Sequence, residues 1–136
     1  MLSGKKSVSF VVKTVSVDAQ AVATVTASLN SVNVSASLTI NPPVVTSLVL
    51  NPTSVVGGGV STGTVTLGTV APIGGVSVIL SSNNGNATVP TSVAVPAGKN
   101  SAKFTILTVV VSAQVTATIS ATLGTTIKTA NLTVKK

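Results

Sequence analysis

Hydrophobic and polar residues alternate with a period of two along much of the chain. From 115 to 123, Val115, Ala117, Ile119, Ala121 and Leu123 are separated by Thr116, Thr118, Ser120 and Thr122. Successive side chains of an extended strand point to opposite sides, so this spacing predicts a strand with an apolar inward face and a hydroxyl-lined outward face. The next run repeats the pattern across a turn at Gly124: Ala130, Leu132 and Val134 point in, and Thr129, Asn131 and Thr133 point out. Upstream, short runs rich in β-branched residues end at turn signals. VVTSLVL (44–50) runs into Asn51-Pro52 and Gly57-Gly58-Gly59, STGTVTL (61–67) into the turn from Pro72 to Gly75, GVSVILSS (75–82) into the loop from Asn83 to Asn86, and TSVAV (91–95) into Pro96-Ala97-Gly98. No stretch carries a helical period. Seven or eight short strands at this spacing predict an all-β sandwich.

The chain also contains part of itself twice. A shift of 94 residues lays Gly4-Lys5 on Gly98-Lys99, Phe10 on Phe104, Ala19-Gln20 on Ala113-Gln114, Leu29 on Leu123 and Leu38-Thr39 on Leu132-Thr133, without a gap. Residues 4–42 are therefore a copy of 98–136. The expected organisation is one complete sandwich, 44–136, preceded in 1–43 by the final three strands of a second copy and the linker Asn41-Pro42-Pro43. In the copy, Ala23, Val25, Ala27 and Leu29 should face inward, followed by Val34, Ala36, Leu38 and Ile40, with Asn30 at the turn where the complete unit has Gly124.

A partial sandwich has no first half to cover its inward side. Val8, Phe10, Val12, Val25, Leu29, Leu38 and Ile40 form the candidate self-association face. The downstream unit cannot cover them, because its own strands are matched to its own last three. The cover must come from the same half of another copy, giving a homo-oligomer, or from neighbouring repeat strands in a longer parent; self-association is the favoured reading.

Composition removes most chemistry. Only 7% of the residues are charged, Asp18 is the single acid, all eight basic residues are Lys, and Cys, His, Arg, Glu, Tyr and Trp are absent. General acid-base or nucleophilic catalysis needs a group that titrates near neutrality or a base beside the nucleophile, and one Asp among lysines supplies neither. Zinc, copper and iron sites need Cys or His, and calcium sites need several carboxylates. The expectation is a non-enzyme with no metal and no cofactor. A net charge of +7 points to an acidic partner such as an anionic surface or glycan, or serves only solubility and edge protection. Specific nucleic-acid reading is not expected without Arg forks or more aromatics than Phe10 and Phe104. No run reaches the length of a membrane span, and Met1 to Lys6 is too polar to open a signal peptide. The sequons at Asn33, Asn86 and Asn131 are about as many as chance gives in a chain this rich in Ser and Thr.

Three segments carry a resemblance. SLVLNPTSVVGGGVSTGTVTL (47–67), APIGGVSVILSSNNGNATVPTSVAVPAGKNSAKFTILT (71–108) and TATISATLGTTIKTANLTV (116–134) resemble the bacterial immunoglobulin-like, invasin-like domains that occur in tandem in large surface and secreted proteins. The resemblance spans the complete unit, and residues 4–42 match its last three strands. It implies an immunoglobulin-like β-sandwich with a structural or adhesive role at the cell surface or outside the cell. The alternative is a decoration or fibre subunit on a virion surface, where the same sandwich also occurs. Domains of this architecture sometimes form a Lys to Asn isopeptide bond assisted by an acid; Asp18 corresponds to Ser112, which leaves the complete unit without one.

Overall fold

The computed structural model describes residues 4–136; residues 1–3, part of the start and first segment considered above, lie outside the described residues. Eleven strands form among the described residues: β1 (Ala21–Leu29), β2 (Val32–Ile40), β3 (Val45–Asn51), β4 (Ser54–Val56), β5 (Val60–Leu67), β6 (Val76–Ser82), β7 (Ala87–Thr88), β8 (Ser92–Val95), β9 (Ser101–Thr108), β10 (Val115–Leu123) and β11 (Thr126–Lys135). Strands β3–β11 make a two-layer sandwich. One sheet has the order β4-β11-β10-β6-β8 and the other β3-β5-β9-β7. β1 and β2 form a separate two-stranded sheet.

The alternation read from the sequence sets the core. Ala117, Ile119 and Ala121 of β10 and Leu132 and Val134 of β11 are buried, with Val78 and Leu80 of β6 beside them. From the facing sheet come Val45, Leu48 and Leu50 of β3, Val65 and Leu67 of β5, and Phe104 and Ile106 of β9. The chain changes sheets early. β3 and β4 lie only two residues apart in sequence yet belong to different layers, and β4 then pairs in parallel with β11 through Thr133↔Ser54 and Val134↔Val55. At that crossing the buried Ser61 hydroxyl donates to the Pro52 carbonyl at 2.6 Å, so a polar side chain inside the sandwich is satisfied. The short β4 and β7 fall where only turns were read, because two or three residues are too few to show a period.

The first 43 residues depart from expectation in one respect. Two strands form, not three: no strand lies between Gly4 and Gln20. The complete unit supplies the reason. There the counterpart, β9, pairs with β5 and β7 in one sheet, whereas β10 pairs with β11 in the other. The copy of β9 therefore has no neighbour to complete its backbone hydrogen bonds, while the copies of β10 and β11 have each other. No helix among the described residues is long and apolar enough to cross a membrane.

Close packing at the sheet centre shows in one pair. Gly63 of β5 lies directly opposite Phe104 of β9, and a Cβ built at Gly63 would fall within 2.6 Å of three atoms of the phenyl ring. Gly63→Ala should therefore destabilise the sandwich by about 1–3 kcal/mol through overpacking, measured as a lower urea midpoint at unchanged m-value. The complementary change, Phe104→Ala, should cost roughly 3–5 kcal/mol by leaving a cavity in the core. Thr118→Ser keeps the hydroxyl that bonds to Asn131 at 2.9 Å on the outward face and should shift the same midpoint little. Equal losses from Phe104→Ala and Thr118→Ser would show that the assigned strand faces are reversed.

Candidate functional site

Few residues of the chain bear chemistry. Asp18 is exposed beside the linker prolines Pro42 and Pro43 and Gly75, Ser77 and Leu123. Among the described residues no three His, Cys, Asp or Glu side chains come together. The depressions on the sandwich surface are shallow; one runs over Thr88, Pro90, Ser92, Lys103 and Leu107 and gathers no catalytic group.

Among the described residues the β1–β2 hairpin stands apart from the self-contained sandwich. Its pairing is Ala21↔Ile40, Ala23↔Leu38, Val25↔Ala36, Ala27↔Val34 and Leu29↔Val32 on one side, and Val22↔Thr39, Thr24↔Ser37, Thr26↔Ser35 and Ser28↔Asn33 on the other. Directly opposed residues share a face, so one face carries ten apolar side chains and the other is polar apart from Val22. The register is that of β10–β11 displaced by 94 residues, in which Ala117↔Leu132 and Ile119↔Ala130 hold the corresponding places. The turns differ in detail: Asn30 and Ser31 both take positive φ, 49° and 66°, as a two-residue hairpin loop of the primed kind requires, whereas Gly124 takes φ 57°. On the polar face the Thr26 and Ser35 hydroxyls lie 2.9 Å apart, and at the base the Gln20 side-chain amide donates to the Asn41 Oδ1 at 2.8 Å.

What differs between the two copies is the cover. Phe10 is 68% exposed where Phe104 is 6%, and Leu38 is 36% exposed where Leu132 is fully buried. Val25, Leu38 and Ile40 sit toward the hairpin base; Val25 and Ile40 are half-buried. Leu29, Val32 and Val34 at the tip are exposed, and with Ala27 and Val8 they line an open apolar groove.

Of the seven residues read from the sequence as a self-association face, Val25, Leu29, Leu38 and Ile40 thus share one side of the hairpin, and Val8 lies against its tip. Phe10 and Val12 do not line the groove. Their counterparts Phe104 and Ile106 come from the sheet opposite β10–β11, so these two belong to the opposing layer of the repeat. Val32 and Val34 lie on the same side of the hairpin and are outside those seven. The two-residue loop at Asn30-Ser31 places Val32 opposite Leu29, and alternation then places Val34 opposite Ala27.

The segment before β1 touches the complete unit at one defined point, where the Ser16 hydroxyl donates to the Val70 carbonyl at 2.7 Å. Thr14, Val15 and Asp18 line a depression there with Ala71, Pro72, Ile73 and Gly98. These contacts lie along the connecting segment and leave the hairpin tip uncovered.

No family model and no curated protein matches the chain. Among solved structures, the D00-D0 domain of Intimin aligns with 85% of this chain and 65% of its own, at 20% identity and a TM-score of 0.54. The S-layer protein SbsC domains 4 and 5 align with 85% of this chain and 57% of their own, at 22% identity and a TM-score of 0.43. The chain spans less than two thirds of either structure. With the sandwich described above, the likeness to the Intimin domain shows that this chain has an all-β, immunoglobulin-like fold.

Proposed function

We propose that the chain is a non-enzymatic structural or adhesive module of a tandem-repeat protein at the cell surface or outside the cell, assembling with further copies of itself through the β1–β2 hairpin. The observation that carries this reading is the register-matched copy of β10–β11 standing uncovered ahead of a complete immunoglobulin-like sandwich. Residues 4–42 and 98–136 are two second halves to the one first half, 44–97, so within these residues the apolar side of β1–β2 has no layer to cover it. Two chains resolve the imbalance when their leftover halves pack face to face about a two-fold axis. The likeness in fold to a domain of Intimin supports a surface role, and the inventory of a single acid and no His or Cys supports a non-enzymatic one.

Two nine-residue strands present a small face compared with a standard protein interface, so the expected affinity is modest. Sedimentation equilibrium at roughly 100 μM should show association of the full chain and a monomer for residues 44–136. Leu38→Lys should return the full chain to monomer, because it would bury an unpaired ammonium group in the interface. Monomers for both chains at that concentration would overturn the self-assembly. The location is tested separately: an antibody against the folded sandwich should label intact cells that produce the chain, and labelling only after lysis would overturn the surface assignment. Recovery from purified virus particles would replace it with the decoration role, in which the lysines meet an acidic capsid or a glycan.

A further inference from the structure

The second half of the complete unit and its copy agree most closely where the first half covers them. Nine residues of 98–136 are buried in the sandwich. Six have an identical counterpart in 4–42, Phe10 for Phe104 and Leu38 for Leu132 among them. The other three, Ile106, Ile119 and Val134, are answered by Val12, Val25 and Ile40, each one methylene away. Exposed places diverge more freely, as in Lys103 against Ser9 and Leu107 against Lys13. Two of the retained residues fit features of the first half that apolar area alone does not require. Phe104 lies over Gly63, where a Cβ would meet its ring, and Phe10 keeps the ring. The buried Thr108 hydroxyl donates to the Gly59 carbonyl at 2.6 Å, and Thr14 keeps that hydroxyl at an inward position.

The first half that these residues fit cannot be the chain's own. Seated as β11 is, Ile40 would take the place of Val134 beside Val55, which packs against Gly59. Val45 lies opposite Leu67, at the other end of β5. Gly59 and Leu67 are eight residues apart, about 27 Å of extended strand, whereas the five residues from Ile40 to Val45 reach at most about 18 Å. We infer that residues 4–42 are a docking site for the first half of an immunoglobulin-like unit on a separate chain. That partner carries the 44–97 sequence without last strands of its own, and 4–42 complete it by strand addition. It gives Phe10 and Val12 the β5-like neighbour whose absence leaves 4–20 without a strand. Face-to-face pairing of two hairpins offers them none, so the first half is preferred where both are present.

The test presents this partner in two forms. A 44–97 polypeptide added to the full chain should bind one to one and slow amide hydrogen exchange across residues 7–14. Phe10→Ala should weaken that binding by roughly a hundredfold or more. Ser9→Lys, which copies the exposed Lys103, should leave it unchanged. Because a lone 44–97 polypeptide has an uncovered face of its own and can aggregate, a second chain carries 44–97 joined ahead of Gly4 as Ala97 is joined to Gly98. It should show the same protection of residues 7–14. Exchange there as fast as in the parent would overturn the docking site, whatever the free polypeptide does. Self-assembly is read separately, from sedimentation of the parent. A monomeric parent with a protected joined chain leaves the docking site standing without self-assembly, and an associating parent with an unprotected joined chain gives the reverse.

Discussion

Covering the apolar side of an amphipathic sheet is the constraint on which this molecule depends. In β10–β11 and β1–β2 the alternation gives one face rich in Val, Ala, Ile and Leu and one rich in Thr, Ser and Asn, and the apolar face has to be taken out of water. In β3–β11 the two sheets do this for each other. Ile119, Leu132, Val78, Val65 and Ile106 are all fully buried between them. The β1–β2 hairpin is built to the same plan and lacks the other layer, so Leu29, Val32 and Val34 remain exposed.

The backbone applies the same logic to hydrogen bonds. Sandwich strands are completed by neighbours far away in sequence: β5 joins β9, β6 joins β10, and β4 closes the edge of β11. Locally closed pairs such as β1–β2 need only a two-residue loop, and they persist when the rest of the repeat is missing. That division explains why one half of the partial copy is ordered as sheet and why the stretch carrying Phe10 and Val12 is not a strand.

The proposed role places function on surfaces. With one acid, no His and no Cys, the side chains offer little beyond shape, apolar area and scattered positive charge. The outward rows of Ser and Thr keep a nearly uncharged sheet wettable while retaining the preference for extended backbone. Apolar surface is then informative where it stays uncovered. On the inward side of the hairpin it includes Leu29, Val32 and Val34, and before β1 it includes Val8, Phe10 and Val11; the sandwich also exposes Ile73 and Val110.

Much of this was legible in the residues. The period of two assigned Ala117, Ile119, Ala121, Leu132 and Val134 to the core, and the shift of 94 residues placed β1–β2 in the register of β10–β11, because side-chain direction in a strand and pairing across a tight hairpin are local properties. Asn30 at positive φ belongs to the same class, since the tolerance resides in the residue and its immediate loop. Layer membership is not local. Phe10 and Val25 both read as inward, and only the pairing of β9 with β5 and of β10 with β11 reveals that their positions face each other across a core and do not lie side by side. The reach of one sheet over the other is equally a tertiary matter. It decides that Lys128 stands in solvent although it points inward by alternation.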